Sequence, residues 1–490
     1  MATMSLRSAR SEALATARNN ASSVNVGGES PVDYTYEGGI LSWDKGCIRN
    51  EDVVAVINTL GGIAEHTIFS LEQEDPNSKD GDKGYPFKLQ ATNAVTLPQD
   101  FLDAFTFKGL PQHLQTGRAR DLFILVSTLS GTGLAVAFFD EVLRPLLRAL
   151  GFEDSRYTVI KTTTADSVRE LAQFNLIDNA NEGKEQTVIV LSGDGGIADT
   201  INALGEKQKS RYGWISLLAR KDINESSKYV KPTFLQLPLG TGNALFHSLH
   251  KASPISSIYV QGLRTLLHGT PKPLPTFRAS FSPGARLLTN EGQIATPLPN
   301  NVIFGAVVAS HGLHSTLVAD SDTVEYRKHG DKRFGMAAKD LMFPPDGGLP
   351  HKYQTEVTLI RNGQQHQLER NEHGYVLATL VSNLEKTFTI SPESQPFECS
   401  LRVIYFGPLS GKDLAAVMED AYQGGKHVER REVGYEKVEG IKILFKEQGQ
   451  DWRWRRACID GSIVGVEEGG WMDVRLVPEG EEAICVVADA

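Results

Sequence analysis

The sequence predicts an α/β domain followed by an antiparallel β-sandwich domain, with a small β-rich region ahead of both. Three observations carry this. Two strand, glycine-loop and helix units lie close together, at Thr187 to Leu204 and Thr233 to Leu249. Three prolines, Pro271, Pro273 and Pro275, then mark a boundary. After it come short strand-like segments with turn signals between them and one helical stretch.

The stretch TVIVLSGDGGIADTINAL, Thr187 to Leu204, organises the first unit. Thr187 to Leu191 is β-branched and apolar, as in a buried strand, and Ile197, Ile201 and Leu204 have helical spacing. Between them Ser192, Gly193, Asp194, Gly195 and Gly196 form a turn where the backbone can approach a ligand and a helix N-terminus can meet an anion. A carboxylate beside phosphates needs a cation or a proton-transfer role, so Asp194 is a candidate general base or magnesium partner; the same residues also suit a simple tight turn. The second unit runs from Thr233 to Leu237 into Pro238-Leu239-Gly240-Thr241-Gly242-Asn243 and a helix over Ala244 to Leu249. In an open parallel sheet both loops emerge at the carboxyl ends of strands, where ligands bind.

Composition bounds the rest. The chain has 490 residues, enough for two or three domains, and a net charge of −10 that argues against nucleic acid as the main partner. Cys47, Cys399, Cys458 and Cys485 are far apart, which indicates neither a zinc site nor a disulfide framework and fits a reducing, cytoplasmic setting. No apolar run approaches the roughly 20 residues that cross a bilayer, and the first residues lack the apolar core of a secretory signal.

In chain order, residues 1–35 read as a disordered tail and 36–118 as a β-rich region of unassigned role. Strand or short-helix candidates there are Val53 to Leu60, Thr67 to Leu71 and Phe87 to Val95. The polar loop between the last two, Glu72 to Gly84, lacks the final glutamate of a calcium loop and reads as solvated. The α/β domain, 119–272, opens with the strand Asp121 to Val126, the loop Ser127 to Gly133 and a helix over Leu134 to Leu150. A lone Gly131-x-Gly133 pair is too little for a dinucleotide fingerprint. Tyr157 to Lys161 is the next strand; Thr162 stands at its end, and Ser167 with Glu170 fits a capping box. Pro254 to His268 is helical. In the sandwich domain, 273–490, the strands are Phe277 to Phe281, Val302 to Ala309, Glu356 to Ile360, Tyr375 to Val381, Leu401 to Phe406, Ile441 to Phe445 and Trp454 to Ile459, with a helix over Lys412 to Tyr422.

The SGDG turn followed by LPLGTGNAL resembles the catalytic core of diacylglycerol, sphingosine and ceramide kinases, a fold shared with NAD kinases. The SGDG form and the alanine after PLGTGN lean towards the sphingosine (long-chain base) kinase branch. The segment Val318 to Phe334 is similar to ADVDxESEKYRRLGEMRF of that branch, matching at Asp320, Tyr326, Arg327, Gly330, Arg333 and Phe334, and Asp460-Gly461-Ser462 is similar to its VDGE. The resemblance implies an ATP- and magnesium-dependent lipid kinase at a peripheral membrane surface, with an α/β nucleotide-binding domain and a lipid-binding sandwich. It implies Asp194 as catalytic base. Nucleotide would be held by Ser130, Gly131, Thr132, Thr162, Ser192, Gly193, Gly195, Gly240, Thr241, Gly242, Asn243, Arg327, Arg333, Asp460 and Gly461, and the sphingoid headgroup by Asp320 and Asp322; one of those two aspartates would also cap a following helix. Departures occur at Ser127, Thr132, Gly196 and Ser462, and Asp199 replaces a glutamate. Diacylglycerol or ceramide kinase, NAD kinase and a catalytically degenerate binding module remain as alternatives.

Other chemistry has less behind it. His247 with His250, and His311 with His314, have helical spacing but no further zinc ligands nearby, and read as surface or capping histidines. No G-x-S-x-G elbow is present. Lys442 to Arg456 combines Lys442, Lys446, Arg453, Arg455 and Arg456 with Trp452 and Trp454, a solvated hairpin face or an anionic-lipid dock.

Overall fold

A computed structural model describes residues 32–58, 64–73, 86–115, 117, 120–128, 131–164, 166–205, 229–251, 253, 255, 257–329, 332–449 and 452–489. Nearly all of the expected tail and most of the loop over 72–84 lie outside them.

The central sheet has six strands in the order Thr270–Pro273, Cys485–Ala488, Thr233–Pro238, Glu185–Ser192, Arg120–Val126 and Thr158–Lys161. All pairs are parallel except that of the edge strand Thr270–Pro273. Continuous apolar runs form these strands because both faces are covered. Phe123, Leu125, Val188 and Val190 pack under the helices over 167–181 and 194–205. Leu122, Ile124, Ile189 and Leu191 face Phe138, Val142 and Leu146 on one helix and Val260, Leu263 and Leu266 on Ile258–His268.

Three expectations change here. The proline-rich link is itself a strand, which its prolines tolerate because it lies at the sheet edge. The segment 273–490 is not confined to its own domain, since its last strand, Cys485–Ala488, returns to the parallel sheet. The capping box is also absent: Ser167 Oγ accepts from the backbone N–H of Thr163 (3.0 Å) and Thr164 (3.1 Å), bracing the turn before the helix.

The N-terminal region forms two three-stranded antiparallel sheets, over 35–49 and 53–94, and a helix, Gln99–Phe105. Val54, Phe69, Leu71 and Phe87 join the core beneath Phe138 and Tyr259 of the α/β domain. Arg264 donates to the carbonyls of Asn50 and Val53, so the region is docked on that domain.

The second domain consists of a seven-stranded and an eight-stranded sheet whose pairings are all antiparallel. Phe277, Val357, Ile441 and Val474 of one share an apolar cluster with Ala309, Val376, Val403 and Ile459 of the other. The run expected as one strand, Val302 to Ala309, is two strands in different sheets, Val302–Gly305 and Val308–Gly312. Three helices that the periodicity did not suggest, Leu313–Ser321, Val324–Arg327 and Lys332–Met342, accompany the expected one at Gly411–Tyr422. Neither Asp320 nor Asp322 starts a helix: Asp320 lies in the last turn of Leu313–Ser321, and Thr323 caps the next by accepting from Tyr326 N–H.

Buried histidines are concentrated in this domain. His311 and His373 are fully buried, and burial lowers both to about 4. A depressed histidine pKa means that the unfolded chain binds the proton first, so stability falls as pH drops from about 6.5 to about 4. His373→Phe removes this liability at one position. The variant is expected to gain on the wild type by about 3 kcal/mol between pH 7 and pH 4, read by denaturant melts; a constant difference across that range would contradict it.

Candidate functional site

The two glycine loops lie against each other. A Cβ on Gly240 would fall 2.3 Å from the Gly193 Cα, so neither loop tolerates a side chain at this contact. Asn243 sits in the left-handed region at φ 54°, and its amide closes the loop by accepting from Gly240 N–H (3.1 Å) and donating to Gly240 O (2.9 Å). With the Asn243 side chain so occupied, the N-terminus of Ala244–Leu249 takes its acceptor from the other loop. The Asp194 carboxylate accepts from Ala244 N–H at 2.6 Å, Leu245 N–H at 3.1 Å and Gln236 Nε2 at 3.2 Å. Burial pushes the Asp194 carboxyl up, and these hydrogen bonds pull it back.

The first loop joins the pair. Gly131 packs so tightly on Thr241 that a Cβ would fall 2.2 Å from its Oγ1. The Thr132 hydroxyl donates to Leu239 O at 2.5 Å, tying loop to loop instead of facing a ligand. Thr162 Oγ1 accepts from Thr128 N–H at 2.9 Å. Ser130 lies outside the described residues.

The second domain closes the site from above. Asp460 and Gly461, both at positive φ, make the two-residue hairpin between Arg456–Ile459 and Ser462–Gly465. The Asp460 carboxylate accepts from the N–H groups of Ala306 (2.6 Å), Val307 (3.0 Å) and Val308 (2.7 Å), where the chain changes sheets. Burial pushes this carboxyl up to about 7, the three N–H groups oppose the rise, and nearby Asp194 adds to it. Asp199 is raised to about 6, first by burial, with Arg169 opposing.

These groups border one cleft of about 870 Å³. Its lining includes Thr162, Ser192, Gly193, Asp194, Gly195, Asp199, Gly240, Thr241, Gly242, Asn243, Asp460 and Gly461, with Gly131. The same cleft has an apolar wall that includes Leu317, Phe334, Met342, Leu384, Phe388 and Met418. Sequence reasoning missed this wall because it is assembled from four separate segments. Gln236 was also missed, although one amide in an otherwise apolar buried strand is a signal.

Several expected site residues stand elsewhere. Arg333 and Asp322 border the cleft, but Arg327 does not; both arginines hold Asp322, Arg333 at 2.9 Å and Arg327 at 2.5 Å. Asp320 faces a neighbouring cavity, its oxygens bound by Arg453 (2.7 Å) and Arg456 (3.0 Å). Those pairs also change the reading of the basic patch: Arg455 is buried and donates to Val466 O, and Trp454 stacks on His351. Gly242 has room for a Cβ, its nearest neighbour being Leu384 O at 3.6 Å. Of the histidines read as surface or capping, His311 is fully buried, while His250 does bond the Phe246 carbonyl. Among the described residues no three His, Cys, Asp or Glu side chains cluster to hold a metal.

Residues 121–278 match the family described as diacylglycerol kinase catalytic domain. No curated protein matches the chain. Solved structures that it is similar to include a putative diacylglycerol kinase from Bacillus anthracis str. Sterne, at 13% identity over 76% of this chain and 98% of that one, with a TM-score of 0.47. A second diacylglycerol kinase structure from the same organism matches at 11% identity over 76% and 98% of the two chains, with a TM-score of 0.43. The family match makes the chain an enzyme, a lipid kinase.

The loop contacts yield a contrast between glycines. Gly240→Ala is expected to lower the melting temperature and weaken nucleotide binding at least about tenfold, whereas Gly242→Ala should fold normally. Melting curves and titration calorimetry with Mg-ATP check this; normal affinity and stability in Gly240→Ala would contradict the loop contact.

Proposed function

We propose that the chain transfers the γ-phosphoryl group of ATP to a hydroxyl of a long-chain amphiphile, with a sphingoid base favoured over diacylglycerol or ceramide. The observation that carries this reading is one cleft lined both by the glycine loops and by an apolar wall, with Asp194 among the lining residues. The loops offer backbone N–H groups to phosphates, and the apolar wall suits an alkyl chain. In the transfer the acceptor oxygen bonds to the γ-phosphorus, the bond to the ADP oxygen breaks, and Asp194 takes the hydroxyl proton. A carboxyl raised by burial is a better base for that step than an exposed one.

Magnesium fits as an ion carried in on phosphate oxygens, with Asp194 or Asp199 as the carboxylate partner, because no side-chain cage is needed for it. It would offset charge on the transferring phosphoryl group. Arg333, at the cleft edge, adds a cation there. The preference for a sphingoid base rests on the acid character of the cleft lining: Asp194, Asp199 and Asp460 border it and favour an ammonium, while the carboxylate of Asp322 is already held by Arg327 and Arg333. The earlier basis for that preference, Asp320, is dropped, since two arginines occupy its carboxylate. Because its substrate resides in membranes, the enzyme would work peripherally on a cytoplasmic surface; no described helix is long and apolar enough to cross one.

Incubation with labelled ATP and a panel of sphinganine, diacylglycerol, ceramide and NAD tests the reading. Phosphorylated sphinganine is expected as the main product. Asp194→Asn should lose at least about a hundredfold in kcat. It should also melt at a lower temperature, because its amide cannot accept at both helix N–H groups; losing a cap costs about 1 kcal/mol. Retained turnover in the folded variant would remove Asp194 as base.

A further inference from the structure

His314 is left unused by the chemistry above, yet it borders the cleft beside Leu313 and Leu317. Gly312, at φ 92° with Gly374 O only 2.8 Å from where a Cβ would sit, starts the helix Leu313–Ser321 and so fixes His314 in its first turn. Two side chains of that turn point away from the cleft: Ser315 Oγ donates to Gly312 O and Arg456 O, and Thr316 Oγ1 accepts from Tyr353.

The ring is held at one nitrogen. His314 Nδ1 lies 2.7 Å from Ser310 Oγ, and Ser310 stands directly across the ladder from Cys458, with which its hydroxyl also interacts. Imidazole nitrogen is a far better acceptor than sulfur. With the Ser310 hydroxyl donating to His314 Nδ1, the proton of the neutral ring sits on Nε2. Burial lowers His314 to about 4 and keeps the ring neutral, and it keeps Cys458 a thiol, raised to about 12.

We infer that His314 Nε2–H reads an oxygen two carbons along from the phosphorylated hydroxyl of the acceptor lipid, the secondary hydroxyl of a sphingoid base. In the proposed pose the acceptor's reacting end meets Asp194 and its chain follows Leu317 and Met342, and His314 lies in the same lining. Two residues before Ser310, the strand carries Val308, whose N–H holds Asp460, so the same strand positions both groups. A donor there rewards an oxygen and gives nothing to a carbon, which is how a polar site rejects an analogue that lacks the group.

The inference rests on the cleft being the acceptor site, and the test separates the two. With Mg-ATP, kcat/KM is measured for sphinganine and for its 3-deoxy analogue in the wild type, His314→Leu and His314→Gln. The wild type is expected to favour sphinganine by about tenfold or more, His314→Leu to bring the two within about twofold through a raised KM for sphinganine at unchanged KM for ATP, and His314→Gln, which keeps an N–H, to recover part of the preference. An unchanged ratio in a folded His314→Leu would overturn the inference alone. A wild type that phosphorylates neither lipid would overturn the kinase reading and this inference with it. Nitrogen-15 spectra of the wild type give a check that needs no variant: a proton on Nε2, and a shift on adding sphinganine but not the deoxy analogue. A proton on Nδ1 would overturn the donor role.

Discussion

One carboxylate holds the site together. Asp194 belongs to the SGDG turn but caps the helix that follows the PLGTGN loop, and through that bond the two loops keep the approach that brings Gly193 onto Gly240. The helix Ala244–Leu249 has six residues, too few to persist on propensity. Its start depends on an acceptor that Asn243, folded back on Gly240, does not supply. A cap is worth about 1 kcal/mol in stability, and here it also ties one glycine loop to the other. Under the proposed reaction Asp194 has two tasks, capping this helix and taking the acceptor's proton.

The same arrangement recurs in the second domain. Asp460 gathers three N–H groups where Val302–Gly305 ends in one sheet and Val308–Gly312 begins in the other. These are groups that a buried sheet change would leave without partners. The two aspartates interact across the cleft head, and the return of Cys485–Ala488 to the parallel sheet makes the two domains one folded unit. Opening the cleft by hinging would have to work against that strand. The N-terminal sheets, through Arg264 and Phe87, are bound to the α/β domain in the same way.

Local pattern revealed much of this and missed what depends on distance. The parallel strands and the loops at Gly193 and Gly240 were legible because β-branched runs and glycine turns are local signals. The Ala244–Leu249 helix matched its expected bounds. Thr132 and Asn243 were read as ligand groups, but whether a hydroxyl or amide faces a ligand or another loop depends on the neighbouring loop. Asp320 was placed by likeness of a short motif, while its partners Arg453 and Arg456 lie more than a hundred positions along the chain. The apolar wall was invisible for the same reason: Leu317, Met342, Phe388 and Met418 share no period, only a fold. His314 looked like half of an unfinished zinc pair until the helix turned it to the cleft.

The central claim is that nucleotide and alkyl chain occupy one cleft, meeting at Asp194. Photocrosslinking with a sphingoid base carrying a diazirine near the end of its chain, in the presence of a non-hydrolysable ATP analogue and magnesium, tests it most directly. The account predicts crosslinks to Leu317, Met342, Phe388 or Met418, competed by unlabelled sphinganine. Crosslinks confined to the outer sheet faces, or unaffected by competitor, would contradict it.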